Sequence, residues 1–292
     1  MSMKNLNFDF VGKRKIWYAI SVVIIIAGII SMAIQGLNFG IDFTGGSYVQ
    51  LSFSEKISLE DLRGVVNAHV EKTPTIQYDE TNDSYIIRTE LTEEDSVNEL
   101  LAAIEAEFGE FQVDRNELVG PTIGAELVKK AILALIIACG CMLIYITFRF
   151  QFWFGISSII ALLHDALVVL AVFSIFQLEV SSSFIAAILT VIGYSINATI
   201  VLFDRVRESS PNFKAAEKLA LVNDSINNTL ARSINTTLTT LLTLFALFFF
   251  GGDTTQVFVL AMIVGIAAGF YSSVFVSGSL YFDLSKFAKK RK

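Results

Sequence analysis

TVIGYSINATIVLFDRVRE, residues 190–208, begins as an apolar helix, carries Tyr194, Ser195, Asn197 and Thr199 through its middle, and ends in Asp204, Arg205, Arg207 and Glu208. Hydrocarbon offers polar side chains no partners, so at mid-membrane depth they turn toward other helices or a wet cavity. The charged end marks where the bilayer stops. The stretch therefore predicts a membrane helix inside a bundle, and the rest of the chain is read around it.

Composition points the same way. The 292 residues are 53% hydrophobic and 17% charged, with a mean hydropathy of +0.60, too apolar for an ordinary soluble domain. A span needs about 20 mostly apolar residues. Six segments are predicted to cross: 16–34, 127–148, 152–176, 184–203, 233–250 and 257–281. Between Leu37 and Ala125 lie 18 Asp and Glu against 5 Lys and Arg, a net charge of −13; the remainder carries 10 against 17, a net of +7. That split puts the acidic block in one compartment and the basic segments at the membrane surface, and it speaks against nucleic-acid binding. Cys139 and Cys141 sit inside an apolar run and read as small packing residues.

Lys13, Arg14 and Lys15 precede the first span and predict a cytoplasmic N-terminus. The run is long for a signal peptide and has a poor cleavage site, so it reads as an uncleaved anchor. The inner segments then hold Arg149, next Arg205, Arg207, Lys214, Lys218 and Arg232, and last Lys286, Lys289, Lys290, Arg291 and Lys292. The outer loops 177–183 and 251–256 hold Glu179 and Asp253 and no basic residue. Lys129 and Lys130 dissent at the outer end of the second span, where they can snorkel. The expected organisation is a cytoplasmic N-terminus and first helix (1–36), an acidic extracytoplasmic domain (37–125), a five-helix bundle (126–283) and a basic cytoplasmic tail (284–292), with both termini inside.

In the acidic block, FGIDFTGG at 39–46 predicts a tight, non-helical exit from the first span. No Lys-Ser/Thr follows it, which argues against a phosphate loop. Tyr48, Gln50 and Ser52 alternate with Val49, Leu51 and Phe53, the period of a strand. Ser58 starts a helix with Leu62, Val65, Val66 and Val70 on one face; 75–79 and 85–89 flank the turn residues Asn82 and Asp83 as a hairpin; Thr92 caps a second helix; 111–118 is a last strand. The order βαββαβ predicts a ferredoxin-like domain between the first and second spans of a polytopic α-helical membrane protein with six transmembrane helices. His69 has no second ligand nearby and reads as a surface residue, and the carboxylates of 90–110 read as a solvated face.

Ionisable residues within the spans are few. Asp165, beside His164 in the third span, calls for a partner or a function, being either hydrogen-bonded to a neighbouring helix or suited to carry a proton. In the fifth span Arg232, Asn235 and Thr236, Thr239 and Thr240, and Thr243 form one polar stripe. Such a stripe glues helices together or lines a water file. Asp165, Asn197, Arg232, Thr236 and Thr240 are the candidate proton path or intramembrane network, with Asp204 and Arg205 the charge at the helix end. Gly265 and Gly269 in the last span, and Gly28 in the first, suit close helix contact, including contact with another subunit. No nucleophile–base pair, metal-ligand cluster or nucleotide motif is present, so neither an enzyme nor a cofactor is expected.

FGIDFTGG at 39–46, VGPTIG at 119–124, HDALV at 164–168, GYSINATIVLFDRVRE at 193–208 and NTLARSINTTLTTLL at 228–242 together resemble the SecF family, related to the resistance–nodulation–division transporters. The resemblance runs in order along essentially the whole chain. It implies a bacterial cytoplasmic-membrane subunit that acts with SecD, the SecYEG channel and YajC in late export of unfolded preproteins, drawing on the proton gradient. It leads one to expect an Asp after Asn197, where this chain has Ala198, which cannot titrate. A stand-alone transporter of a small or lipidic substrate and an uncoupled scaffold stay open beside it.

Overall fold

The computed structural model describes residues 8–79, 82–214 and 217–290. In chain order the elements are α1 (Arg14–Gln35), β1 (Asn38–Phe39), α2 (Ile41–Thr44), β2 (Gly46–Phe53), α3 (Leu59–Asn67), β3 (Thr75–Asp79), β4 (Ser84–Thr89), α4 (Glu94–Phe108) and β5 (Phe111–Val119). Then follow α5 (Pro121–Arg149), α6 (Phe152–Ile175), β6 (Glu179–Val180), α7 (Ser182–Ser209), α8 (Lys218–Phe250), α9 (Asp253–Tyr271) and α10 (Gly278–Lys290). A π turn over Ser272–Ser277 joins α9 to α10 without a break. Six helical runs among the described residues are long and apolar enough to cross a membrane: α1, α5, α6, α7, α8, and α9 with α10.

Burial separates centre from rim. In α6, α7 and the α9–α10 run, 56%, 44% and 50% of the most apolar window is buried; in α1, α5 and α8 the shares are 11%, 6% and 11%. Phe154 of α6 stacks on Tyr281 of α10 at 4.1 Å and meets Phe203 of α7 at 4.5 Å, an aromatic knot that fixes one end of the bundle. Where backbones come closest, glycine is required by space. A Cβ at Gly28 of α1 would lie 2.2 Å from Ala171 Cβ, and one at Gly269 of α9 would lie 2.9 Å from Ser195 Cβ. These contacts are within the chain, so the small residues expected to suit another subunit are used up internally.

The α+β lobe between α1 and α5 is a four-stranded sheet of order β3-β4-β2-β5 with every neighbouring pair antiparallel. Val49, Leu51 and Ile87 point to one face and close a core with Leu62, Val66, Leu100 and Ile104 of α3 and α4. Central β2 is buried on its second face as well, where Tyr48 lies between the guanidinium groups of Arg88 (5.3 Å) and Arg115 (5.0 Å). The Ser58 hydroxyl caps α3 by accepting from the Glu60 amide at 3.2 Å.

Several expectations need correcting. Thr92 does not cap α4: the capping position is Glu93, with no side-chain bond, and Glu94 and Asp95 face the positive helix end instead. The exit after α1 is one helical turn, α2, set between Gly40 in extended conformation and Gly45 at φ 75°. The fifth long helix starts at Lys218 rather than Ser233, because Leu221, Val222 and Ile226 recur at helical spacing and are buried. Asn223 and Asn227 of this extension hold the segment before α1: the Asn223 Oδ1 accepts from the Phe10 amide (2.7 Å) and the Asn227 Oδ1 from the Phe8 amide (3.0 Å). The sixth run is helical to Lys290, so 284–290 continues the helix; Arg291 and Lys292 lie outside the described residues, as do Glu80 and Thr81 of the hairpin.

Gly28→Leu is expected to destabilise the protein by about 1–3 kcal/mol through overpacking against Ala171. Gly140→Leu, where a Cβ meets nothing within 4 Å, is the matched control and should leave thermal unfolding in detergent unchanged.

Candidate functional site

Helix α7 has polar groups to satisfy on two sides. At 3.6 residues per turn, Ser195 and Thr199 fall on one side, and Tyr194, Asn197, Ala198 and Val201 fall roughly a third of a turn away. Both Ser195 and Thr199 are buried, whereas Asn197 is exposed.

The buried side meets Asp165 of α6, which has no exposed surface. Its Oδ2 accepts from the Ser195 hydroxyl of α7 at 2.6 Å and from the Ser272 hydroxyl at 2.8 Å, and its Oδ1 lies 2.9 Å from His164 Nδ1. Ser272 opens the π turn, a helical irregularity that recurs at functional positions. Gly269 lets Ser195 come close enough to reach the carboxylate. The His164 ring stacks on Tyr271 at 5.8 Å, and the Tyr271 hydroxyl donates to the Trp17 carbonyl of α1 at 2.8 Å. One carboxylate therefore joins α6, α7 and the π turn that follows α9, and its histidine neighbour extends the contact toward α1. The His164 Nε2 is buried without a hydrogen-bond partner among the described residues.

The open side of α7 faces α8 across a cavity of about 280 Å³ lined by Tyr194, Asn197, Ala198, Val201, Arg232, Ser233, Thr236, Thr239 and Thr240. The Tyr194 hydroxyl and Thr240 Oγ1 are 3.3 Å apart, the one polar contact across the cleft among the described residues. The threonines are otherwise satisfied within their own helix: Thr236 donates to the Arg232 carbonyl (2.9 Å), Thr240 to that of Thr236 (2.9 Å) and Thr243 to that of Thr239 (3.1 Å). Arg232 is exposed, and its guanidinium makes no hydrogen bond or ion pair among the described residues. A cation with no countercharge thus borders the same cleft as Ala198.

The structure brings Asn197, Ala198, Arg232, Thr236 and Thr240 to one cleft and puts Asp165 against the adjoining face of α7. Asp204 and Arg205 belong to neither. Asp204 pairs with Arg207 at 3.2 Å and Arg205 with Glu208 at 2.9 Å, exposed i,i+3 pairs that contribute little stability. Sequence reasoning gave Ser195 no specific role and missed Ser272 and Tyr271. The signal was there in the hydroxyl-rich run of Ser272, Ser273, Ser277 and Ser279 within an apolar helix.

Residues 99–287 match the family described as protein export membrane protein SecD/SecF, C-terminal, and residues 30–57 match the SecD/SecF GG motif. The protein translocase subunit SecF of Sebaldella termitidis is 39% identical, with 98% of this chain and 95% of that protein covered. That of Acidaminococcus fermentans is 40% identical, with coverages of 97% and 99%. Among solved structures, the translocon-associated membrane protein SecDF of Thermus thermophilus superposes with a TM-score of 0.87 at 34% identity over 98% of this chain. SecDF in its super-membrane-facing form gives 0.74 at 34% identity over 100%. The chain spans 40% of the length of each of these two solved chains.

Asp165→Ala would leave the Ser195 hydroxyl buried with no acceptor, at about 1–3 kcal/mol, and the Ser272 hydroxyl with only its longer 3.3 Å bond to the Gly269 carbonyl. Asp165→Asn keeps an acceptor oxygen, so its melting temperature in detergent should fall clearly less; equal losses would contradict the three-helix lock.

Proposed function

The chain belongs to the SecF family of protein translocase subunits, and from that premise we propose that it is an accessory subunit of the Sec protein-export machinery. It acts with SecD in late preprotein translocation across the bacterial cytoplasmic membrane and draws on the proton gradient. The observation that carries the reading is the near-full-length likeness to SecF subunits joined to a polar cleft on the rim of the bundle. The SecYEG channel, YajC, the unfolded preprotein and membrane lipid complete the proposed set of partners.

Sidedness follows from charge. We place the lobe, residues 37–125 with a net charge of −13, outside the cytoplasm as a ferredoxin-like domain, a reading its strand order supports. Residues 126–283 are the rest of the bundle, and the basic stretch 284–292 lies inside with the N-terminus. The cleft of Asn197, Arg232, Thr236 and Thr240 is the proposed proton-responsive site, and Asp165 is the polar lock behind it. One charge crossing 100 mV yields about 2.3 kcal/mol, enough to bias a lobe that carries an emerging chain between two positions.

Ala198 is the feature that favours a second reading, an uncoupled scaffold, since no carboxylate faces Arg232 from that position of α7. Two measurements decide. Purification of the tagged chain should recover a six-span SecD partner and channel subunits; a lone homodimer would favour a stand-alone transporter. In inverted membrane vesicles, the gradient should stimulate export of a reporter preprotein, Ala198→Asp should raise that stimulation several-fold, and Arg232→Gln should cancel the rise. Export indifferent to the gradient in every variant would leave the scaffold.

A further inference from the structure

The lobe is attached to the bundle by more than its two connecting strands. The single turn α2, which occupies the middle of the FGIDFTGG stretch, projects Asp42 onto the start of α7, where its Oδ2 accepts from the Ser182 amide at 2.6 Å. Ser182 is the first residue of α7, and no side chain of α7's own flank caps that end. A carboxylate there satisfies a free N–H and sits at the positive end of the helix. Just before α7, β6 pairs in parallel with β1, so Asn38 and Phe39 run beside Glu179 and Val180. The Asn38 carboxamide donates to the Gln177 carbonyl at 3.0 Å, and the Gly40 amide to that of Val180 at 2.8 Å.

The second fastening comes from the sheet. Glu179 of β6 pairs with Arg88 of β4 at 3.0 Å, with the side chains only 23% and 22% exposed. Arg88 is held from behind by the Tyr48 ring of β2. The start of α5 closes the third side, because a Cβ on Gly124 would lie 2.6 Å from the Phe43 carbonyl oxygen. The strands that enter and leave the lobe are themselves paired at this end, Gly46 opposite Val119. A displacement of the α7 terminus therefore acts at once on Asp42, one turn from the start of β2, and on Glu179, which grips β4.

We propose that α2 and the Arg88–Glu179 pair form a rigid joint that transmits movement of α7 to the lobe, with Asp42, Glu179 and Arg88 as its positioning residues. The FGIDFTGG stretch thereby gains a mechanical role, since the middle of α7 lines the polar cleft and its N-terminal end is clamped to the root of the lobe. The inference rests on the reading above, in which lobe movement accompanies export.

The joint is tested with the full chain and its partner subunit in membranes. Asp42→Ala and Arg88→Glu should each lower gradient-stimulated export at least fivefold while insertion and recovery with the partner stay normal. Asp42→Asn, which still offers an oxygen to the Ser182 amide, should keep more than half. Arg88→Glu combined with Glu179→Arg should recover most of what Arg88→Glu loses. A second readout does not depend on export: spin labels at Thr75 of β3 and Ser183 of α7, with Cys139 and Cys141 replaced by Ala, should report one narrow distance that broadens in Asp42→Ala and Arg88→Glu. Unchanged distances in those variants, or failure of the charge exchange, overturn the joint. Absence of gradient stimulation in the unaltered chain sinks the functional reading instead, and the distances then decide the joint alone.

Discussion

A carboxyl group shut away from water must be satisfied by whatever surrounds it, and Asp165 settles how this bundle is assembled. The group takes hydroxyl hydrogens from Ser195 and Ser272 and lies against His164, so α6, α7 and the π turn after α9 meet at one point. In a bilayer, apolar packing alone gives helices little reason to choose one neighbour over another, because lipid tails are as apolar as leucine. Polar contacts and close glycine approaches then set which helices pair. Here both occur together, Gly269 making room for the serine that reaches Asp165.

From that point α7 extends in two directions with different demands. Toward the lobe it ends under Asp42 and next to Glu179, and away from it the helix runs into Asp204, Arg205, Arg207 and Glu208. One face is locked by the buried carboxylate while the adjoining face opens on the cleft with Arg232. A helix fixed on one face, open on another and clamped at one end is placed to carry a local change of charge along its axis. Loops would dissipate the same displacement, whereas α2, β1 and β6 leave little slack between α7 and the sheet.

Much of this architecture was legible in the sequence because the strongest signals are also the least ambiguous. Runs of apolar residues long enough to span have few other uses, and the alternation through Tyr48–Phe53 fits a central strand. The N-terminal part of α8 was hidden because Asn223, Asn227, Asn228 and Arg232 dilute its hydropathy, although Leu221, Val222 and Ile226 keep the helical period. The π turn leaves composition untouched and so has no signature in hydropathy. Strands of two residues, as in β1 and β6, are too short for any periodicity to appear. The serine partners of Asp165 lie 30 and 107 positions away, a separation no local pattern spans. The threonine stripe was visible, but whether its hydroxyls reach outward or fold back onto their own carbonyls depends on rotamers.

The stripe also bears on what the chain requires beyond itself. Arg232, Asn197 and Thr236 are exposed on the rim of the isolated chain, along the cleft between two helices long and apolar enough to span. Such groups are costly against hydrocarbon and inexpensive against a polar helix or a water-filled seam. The solved relatives are chains of which this one spans 40%. The same reasoning bears on Ala198. With Ala198 at that position of α7, no carboxylate among the described residues pairs with Arg232, and in the proposed reading the countercharge is supplied by the partner subunit, so that the electrostatics of the cleft belong to the pair.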